Sequence, residues 1–352
     1  MTYRVIQWAT GAMGRTCLRG ALDRPDIELV GVFVYGEKKA GRDVGELVRR
    51  DPVGVRATNS IEEILALDAD VVIHAARLQP PYDSHDADIC RLLESGKNVI
   101  SINGNTFPAH WPAARRKRIE KACARSGASF MGAGLNPGFA VEKLAAIASG
   151  VCIDLTRVTL SETVLCHEMR SPEYVFDLLG FGSVPGAIDP NKSDWPPGAL
   201  LNDMFEEVVA SLADRLSLKL DAIVRDHRML PATRDLEIGA GKIARGTVSH
   251  LDWRWRGVVD AKPALNLEIA WVMETAHLKG NTDELWRLRI EGTPTVNIVL
   301  GLEAPAGYAG RTSVEQLAVA GAVLNAIPYV VQAPAGPVAA PLATPWRKPS
   351  GL

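Results

Sequence analysis

The 352-residue chain has no long hydrophobic run, no excess of one charge and no paired cysteines. Its five cysteines are scattered and odd in number, which excludes a disulfide framework and indicates reduced thiols in a cytoplasmic protein. With a net charge of −2, the protein has no overall positive potential that would attract a phosphate backbone, so nucleic acid is not an expected partner. The most apolar stretch, 317–331, contains Asn325 and Pro328 and is shorter than the roughly 20 residues that span a bilayer, so no membrane is expected either.

The N-terminal part of the chain alternates between two hydrophobic periods. Short apolar runs, such as 3–9, 28–35, 69–76 and 98–102, are separated by helical segments. Near-continuous apolar strands that alternate with helices predict a parallel sheet covered on both faces. Crossovers in such sheets are right-handed, so the sequence predicts a Rossmann-type, doubly wound α/β domain.

The pattern changes after Asn136-Pro137-Gly138. Several runs between Asp221 and Leu300 alternate apolar and polar residues, which predicts an open mixed sheet in a second, α+β domain. We therefore predict three regions along the chain. They are a dinucleotide-binding domain over 1–138 that is completed by a C-terminal helix at 312–333, a substrate and dimerisation domain over 139–311, and an irregular tail over 334–352.

The first βα turn is a candidate cradle for a dinucleotide. It reads Ala9-Thr10-Gly11-Ala12-Met13-Gly14-Arg15. Gly11 and Gly14 match the second and third glycines of the G-x-G-x-x-G motif, and Ala9 replaces the first. Backbone N–H groups and the positive end of a helix can hold a pyrophosphate there. An ordinary tight turn is the other interpretation, and the position in the first βα unit favours the nucleotide.

In Rossmann domains, the residues that distinguish NAD from NADP lie at the end of the second strand, about 20 residues after the glycine-rich turn. There the sequence reads Tyr35-Gly36-Glu37-Lys38-Lys39. Lys38 and Lys39 suit the 2′-phosphate of NADP, and Tyr35 can stack on the adenine. Glu37 keeps NAD possible, and a solvated charged loop is the alternative interpretation. We predict NADP(H) as the preferred cofactor and NAD(H) as a possible one.

Several segments together resemble a known family. TGAMGR, VYGEKKAGRDVGEL, GKNVIS, GAGLNPGF and the C-terminal VLNAIP are similar to the dihydrodipicolinate reductase superfamily and, within it, to the branch of 2,4-diaminopentanoate dehydrogenase and the native NAD(P)H-dependent amine dehydrogenases. The resemblance implies a Rossmann domain, an open-sheet domain, a homodimer and hydride transfer at a carbon that bears nitrogen. It also places Asn325 among the cofactor-binding residues.

One loop departs from that branch. In the amine dehydrogenases, the resemblance implies a carboxylate after GKNVIS that holds ammonia or the iminium. Here the loop carries Asn103 and Asn105 and has no acid or base. Amides orient a substrate but do not transfer protons near neutral pH. We therefore expect little reductive amination with free ammonia, and a preference for a neutral acceptor or a preformed imine.

Other candidate site residues follow the predicted parallel strands, because ligands bind at the carboxyl ends of such strands. Ala75 and Ala76 end one strand, Asn103 follows the next, and Asn136-Pro137-Gly138 follows a third; all of them are candidate cofactor-binding residues. Asn136-Pro137-Gly138 could contact the nicotinamide carboxamide, and an ordinary turn is the alternative interpretation. His167 is the first choice as proton donor. A lone histidine is more often a surface or hydrogen-bonded residue, which is the alternative interpretation of His167. Arg170 could hold a substrate carboxylate, although a surface salt bridge explains it equally well. Glu162 could point into the cleft.

The leading hypothesis is an NAD(P)H-dependent reductase or dehydrogenase that acts on a C=N or C=O carbon of a small or medium organic substrate. The missing loop carboxylate motivates the alternative, a catalytically silent nicotinamide-nucleotide-binding sensor or assembly protein. We expect no metal, because no clustered metal ligands stand out. We expect a homodimer formed through the second-domain sheet, because its many strands leave surplus apolar surface. A free face that contains Trp253, Trp255, Trp271 and Trp286 could be the interface, although core packing explains any single tryptophan equally well.

Overall fold

The chain forms two units, each built around its own sheet. In the computed structural model, the described residues are 2–192, 194–278, 286–310 and 312–346. The first unit comprises residues 1–139 and 303–352, and the second comprises residues 140–302.

The first unit contains seven strands and six helices among its described residues. The strands are β1 (Tyr3–Trp8), β2 (Ile27–Phe33), β3 (Ala57–Thr58), β4 (Val71–His74), β5 (Asn98–Ser101), β6 (Ser129–Gly132) and β16 (Gly336–Pro337). The helices are α1 (Ala12–Leu22), α2 (Val44–Leu47), α3 (Ile61–Ala66), α4 (Asp86–Glu94), α5 (Ala113–Ser126) and α8 (Val314–Gln332). The strands pair in parallel in the order β16-β6-β5-β4-β1-β2-β3.

Both faces of this sheet are buried. One face carries Trp8, Val72 and Phe130, which pack in a core with Ile89 of α4 and Ile119 of α5. The other face packs against α1 and α8 through a second core. Residues of that core are Val5, Cys17, Ala21, Val71, Ile100, Met131, Val323 and Ile327. The predicted doubly wound Rossmann-type domain is therefore confirmed.

Helix α8 is the one described helix that is long and apolar enough to cross a membrane by length and composition. Its buried side chains, which include Val323 and Ile327, belong to the core of the first unit. Its apolar composition is therefore explained by packing against the sheet and α1. The segment after α8 was predicted to be irregular, but β16 pairs in parallel with β6. Residues 347–352 of the predicted tail lie outside the described part of the chain.

The second unit holds a mixed sheet, as predicted. Its α-helices are α6 (Leu144–Ser149) and α7 (Pro196–Arg215), and Glu173–Leu178 forms a π-helix. Its strands are β7 (Asp154–Leu165), β8 (Ala222–Arg225), β9 (Arg228–Pro231), β10 (Leu236–Ile238), β11 (Gly241–Ile243), β12 (Val248–Val259), β13 (Lys262–Val272), β14 (Trp286–Thr293) and β15 (Val296–Leu300). The main sheet has the order β15-β14-β7-β13-β12-β8, β9 also pairs with β12, and β10 and β11 form a separate hairpin.

The tryptophans of this sheet do not form the exposed apolar surface that was expected at a dimer interface. Trp253, Trp255 and Trp286 are buried on the covered face, and Trp271 is half-buried. The other face carries charged residues, such as Arg254 and Glu268, which oppose each other across β12 and β13. The period-2 pattern showed that one face is buried, but not that the tryptophans lie on it.

Candidate active site

The turn between β1 and α1 has the features of a phosphate cradle. Gly11 is the N-cap residue of α1, no side chain caps the helix, and its first turn contains no acidic residue. The first N–H groups of a helix have no intrahelical acceptor, so they are available to an anion here. A Cβ atom at Gly11 would have no described neighbour within 4 Å, so the space beside the turn is open. These residues fit a pyrophosphate, and a dinucleotide would be held by the amides of Gly11 to Gly14.

Two residues shape this turn from inside. Ala9 has φ of 69°, a left-handed conformation that glycine adopts without strain. Such a conformation costs an L-residue roughly 1–2 kcal/mol, so the chain keeps the turn geometry despite the alanine. The buried side chain of Gln7 donates to the carbonyl oxygens of Trp8 and Ala9 at 3.1 Å. A polar residue inside an apolar strand was the sequence signal for Gln7, and our sequence analysis missed it.

We predict opposite behaviour for two glycine-to-alanine variants in the cradle. In Gly14→Ala, the new Cβ would overlap the carbonyl oxygen of Ala9, so the variant should be destabilised by about 1–3 kcal/mol. Gly11→Ala should fold with a cost of at most about 1 kcal/mol, because its Cβ meets open space. Its new methyl group should nevertheless weaken nicotinamide-dinucleotide binding. Thermal unfolding with and without NADPH measures both effects, and tight binding by Gly11→Ala would contradict the assignment of the cradle.

The candidate cofactor-binding residues in the loop after β2 have different surroundings. Tyr35 is 57% exposed, and its hydroxyl accepts a hydrogen bond of 3.0 Å from Trp8 Nε1. Lys39 turns toward the cradle, and its Nζ lies 3.0 Å from both the carbonyl oxygen and the hydroxyl of Thr10. Burial and the nearby Arg15 lower the pKa of Lys39. Lys38 is exposed, and no described residue makes a hydrogen bond or an ion pair with its amine.

The two asparagines of the altered loop also differ. Asn103 is half-buried, and its Nδ2 donates to the carbonyl oxygen of Ala76 at 2.9 Å. Its Oδ1 accepts no hydrogen bond from the described residues, so it is available as an acceptor. Ala75 and Ala76, at the end of β4, contribute buried side chains and backbone groups. The amide of Ala75 donates to the carbonyl oxygen of Trp8 at 3.0 Å.

Asn105 is buried and its polar groups are satisfied within the first unit. Its Oδ1 accepts from Arg115 at 2.7 Å, and its Nδ2 donates to Ser101 Oγ at 3.1 Å and to the carbonyl oxygen of Asn103 at 2.9 Å. The predicted substrate contact by Asn105 is therefore corrected to a supporting role. Arg115 is ten residues away in the sequence, and nothing in the loop itself indicated this partner.

The turn at 134–138 closes on itself. Gly138 has φ of 126°, and a Cβ there would overlap the backbone of Gly134. This position therefore requires glycine for both conformation and space. Asn136 is half-buried and Pro137 is buried. The turn directly follows β6, at the carboxyl edge of the parallel sheet.

The position of Asn325 differs from the one expected for a cofactor-binding residue. Its Oδ1 accepts a hydrogen bond of 3.0 Å from Arg24, which follows the C-terminal end of α1. Helix α1 has 11 residues, so its two ends are about 16 Å apart. Asn325 therefore fastens α8 to the end of α1 that lies away from the cradle. The family-like C-terminal segment is explained by packing in the first unit.

The remaining candidates belong to the second unit. His167 and Arg170 are exposed in the segment after β7, and the carbonyl oxygen of His167 accepts from Gly239 at 2.7 Å. Glu162 is buried on β7, opposite Ile269 of β13 and Trp286 of β14.

Lys143 also belongs to the second unit and was missed by our sequence analysis. Its side chain is buried, and burial together with Arg215 lowers its pKa to about 8, although Glu142 opposes this shift. An amine with a pKa near neutrality can exchange a proton with a substrate.

Comparisons with known proteins agree with this geometry. Residues 5–89 match the family model "Dihydrodipicolinate reductase, N-terminus". An amine dehydrogenase of Streptomyces virginiae is 26% identical over 346 residues, covering 94% of this chain and 93% of that protein. A 2,4-diaminopentanoate dehydrogenase of Acetoanaerobium sticklandii is 24% identical over 86% of this chain and 85% of its own length.

Solved structures show the same fold. An amine dehydrogenase from Mycobacterium smegmatis superposes with a TM-score of 0.76 and 19% identity, covering 96% of this chain and 95% of that one. The fold, the cradle and these relatives define a nicotinamide-dependent oxidoreductase, as predicted. The predicted resemblance is confirmed: residues 5–89 match the dihydrodipicolinate reductase model, and the chain is similar over nearly its whole length to an amine dehydrogenase.

Proposed function

We propose that the protein transfers a hydride between a nicotinamide cofactor and a carbon that bears nitrogen in a small or medium organic substrate. The observation that carries this proposal is the uncapped N-terminus of α1, with open space at Gly11, in a chain similar over 94% of its length to an amine dehydrogenase. A carbonyl carbon is the alternative acceptor. When bound, the nicotinamide supplies or accepts the hydride.

Asn103 is the residue that we propose for holding the reacting nitrogen. Its Nδ2 is fixed by the carbonyl oxygen of Ala76, which leaves Oδ1 to accept a hydrogen bond from the N–H group of a protonated imine or of an amine. This contact is neutral, so it stabilises an ammonium ion less than a carboxylate does. Asn103 therefore supports a preformed imine over free ammonia as the substrate.

For the proton donor we propose His167, with Lys143 as the competing candidate. Imidazole exchanges protons readily near neutral pH, and the pKa of Lys143 near 8 gives it the same capacity. We predict that His167→Phe removes the pH dependence of kcat/KM and that Lys143→Met retains it. Steady-state rates over a series of pH values give the comparison. The reverse pattern would assign the proton transfer to Lys143.

NADP(H) is the cofactor that we propose as preferred, because Lys38 is an exposed cation in the loop after β2 and Lys39 lies at the cradle. The exposed carboxylate of Glu37 in the same loop is compatible with NAD(H).

The central test combines binding with turnover. Saturating NADPH at one hundred times its Kd should raise the thermal midpoint by about 5–10 °C. The protein should then oxidise NADPH with the cyclic imine 1-pyrroline faster than with cyclohexanone. An unchanged midpoint with both NADPH and NADH would overturn the proposal. Binding without turnover of an imine, a ketone or an enone would instead support the silent nucleotide-binding protein.

We also propose a homodimer, now based on charged residues of the second sheet and not on exposed apolar surface. The partly exposed face of the second sheet bears charges, and a cavity of about 460 Å³ there is lined by residues such as Asp252, Arg254 and Glu268. Burial raises the pKa of Asp252 to about 6. We propose that complementary charges, not surplus apolar surface, join two copies through this face. The free cysteines agree with the proposed cytoplasmic location.

We predict that light scattering at low salt and micromolar concentration gives twice the monomer mass of 37.9 kDa. Because exposed charges are screened by salt, the dimer should weaken as the ionic strength rises. A monomeric mass at low salt would reject the dimer, and a mass insensitive to salt would reject its electrostatic basis.

A further inference from the structure

Arg115 is a buried cation in contact with two aromatic rings. It lies on α5, and its guanidinium carbon is 5.0 Å from the ring centre of Tyr82 and 4.4 Å from that of Trp111. Its Nε and Nη2 donate to the two carboxylate oxygens of Asp86, at 3.0 and 2.9 Å. The side chains of Arg115 and Asp86 are 5% and 4% exposed. Two ring contacts and a two-point ion pair restrict the orientation of the guanidinium.

The same guanidinium holds Asn105. Arg115 Nη2 also donates to Asn105 Oδ1 at 2.7 Å. The backbone N–H of Asn105 donates to the hydroxyl of Tyr82 at 2.6 Å, and its carbonyl oxygen accepts from the Gly132 amide at 2.8 Å. Asn105 has φ of 60°, a left-handed conformation that must be held by its surroundings.

Asn105 in turn fixes the backbone of Asn103. Its Nδ2 donates both to the carbonyl oxygen of Asn103 and to Ser101 Oγ, and Ser101 Oγ also accepts from the Asn103 amide at 3.1 Å. A chain of hydrogen bonds therefore leads from α4 and α5, through Asn105, to the residue proposed to bind the substrate nitrogen.

We propose that Arg115 is a positioning residue that orders the loop 101–107 and thereby aims Asn103 Oδ1. The proposal rests on the proposed function for the identity of Asn103 as a substrate contact. Arginine suits this role because its planar guanidinium offers five donors in a fixed fork. A lysine has one compact ammonium group and cannot pair with both oxygens of Asp86 while it also reaches Asn105.

Arg115→Lys tests the proposal, and Arg118→Lys is its matched control. Arg118 donates to the same Asp86 carboxylate, but its side chain is 46% exposed and makes no described contact with Asn105. Both variants keep the positive charge and alter an ion pair with Asp86. They differ in the link to the loop.

Hydrogen–deuterium exchange supplies the readout that is independent of activity. In Arg115→Lys, the amides of Asn105 and Gly132 should exchange about tenfold faster, because each donates a hydrogen bond that the ordered loop maintains. The rate constant kcat with NADPH and 1-pyrroline should fall by about 100-fold, the scale expected for a misplaced contact. The Kd for NADPH should stay unchanged. Arg118→Lys should match the unmodified protein in all three measurements.

Two results would overturn this role for Arg115. Unchanged exchange and unchanged kcat would show that Arg115 does not order the loop. Faster exchange throughout the first unit, with kcat falling only in proportion to the folded fraction, would show a general packing role. If the unmodified protein turns over no substrate, the proposed function fails, whereas the exchange of Asn105 and Gly132 still decides whether Arg115 orders the loop.

Discussion

Replacing Lys38 with alanine is expected to weaken NADPH binding by about 1.5–3 kcal/mol, or roughly 10- to 150-fold, the value of a charge-assisted hydrogen bond. NADH lacks the 2′-phosphate, so its affinity should change little. Lys38 is exposed at the end of the loop after β2, and no described residue makes an ion pair with it. Fluorescence titration of both cofactors measures the two affinities. Equal losses for NADPH and NADH would show that Lys38 does not bind the 2′-phosphate.

Lys39→Ala should behave differently from Lys38→Ala. Because Lys39 Nζ lies beside Thr10 at the cradle, its loss should weaken both cofactors to a similar extent. The double variant should then lose more affinity for NADPH than for NADH. Arg42→Ala is the control in the same loop, since Arg42 forms an exposed ion pair with Glu46 and should leave both affinities unchanged.

Asn103→Glu is expected to confer reductive amination that the unmodified protein lacks. A carboxylate at this half-buried position would hold an ammonium or iminium group about twice as strongly as a neutral amide. We expect kcat/KM for ammonium, with NADPH and cyclohexanone, to rise by at least about tenfold. Losing the hydrogen bond to Ala76 should cost only about 1 kcal/mol of stability.

Asn105→Asp is the matched control for this gain. It adds the same charge to the same loop, but its carboxylate would face Arg115, whose Nη2 lies 2.7 Å from the present Oδ1. An internal ion pair would neutralise the new charge, so no amination should appear. Robust amination by the unmodified protein, or an equal gain from Asn105→Asp, would contradict the proposed role of Asn103.

The sequence was sufficient where a local pattern determines the structure. The apolar runs at β1, β4 and β5 predicted a parallel sheet buried on both faces, because such strands have no solvent face. The turn from Gly11 to Gly14 was also predicted, because its geometry depends on residues that are neighbours in the sequence. Alternation in β12 and β13 predicted the second sheet.

The sequence was insufficient where a side chain depends on distant partners. Asn103 and Asn105 are two residues apart and chemically identical, yet Arg115 of α5 engages only Asn105. Lys38 and Lys39 are adjacent, but only Lys39 reaches Thr10. Residue type and spacing cannot separate such pairs, because the deciding contact is made by another element of the fold.

The first unit is formed by two segments of the chain, so its folding can be completed only after the whole second unit has left the ribosome. Helix α8 and β16 emerge only after residues 140–302, which takes roughly 10–30 seconds at common synthesis rates. Until then, the sheet face that carries Val5, Ile100 and Met131 lacks its α8 cover. Early folding of the inserted unit would shorten the open loop that α8 must close, because β7 and β14, near the ends of that unit, pair at Asp154 and Thr293. The time needed to synthesise and fold the inserted unit therefore sets how long this face of the nascent chain stays vulnerable to aggregation.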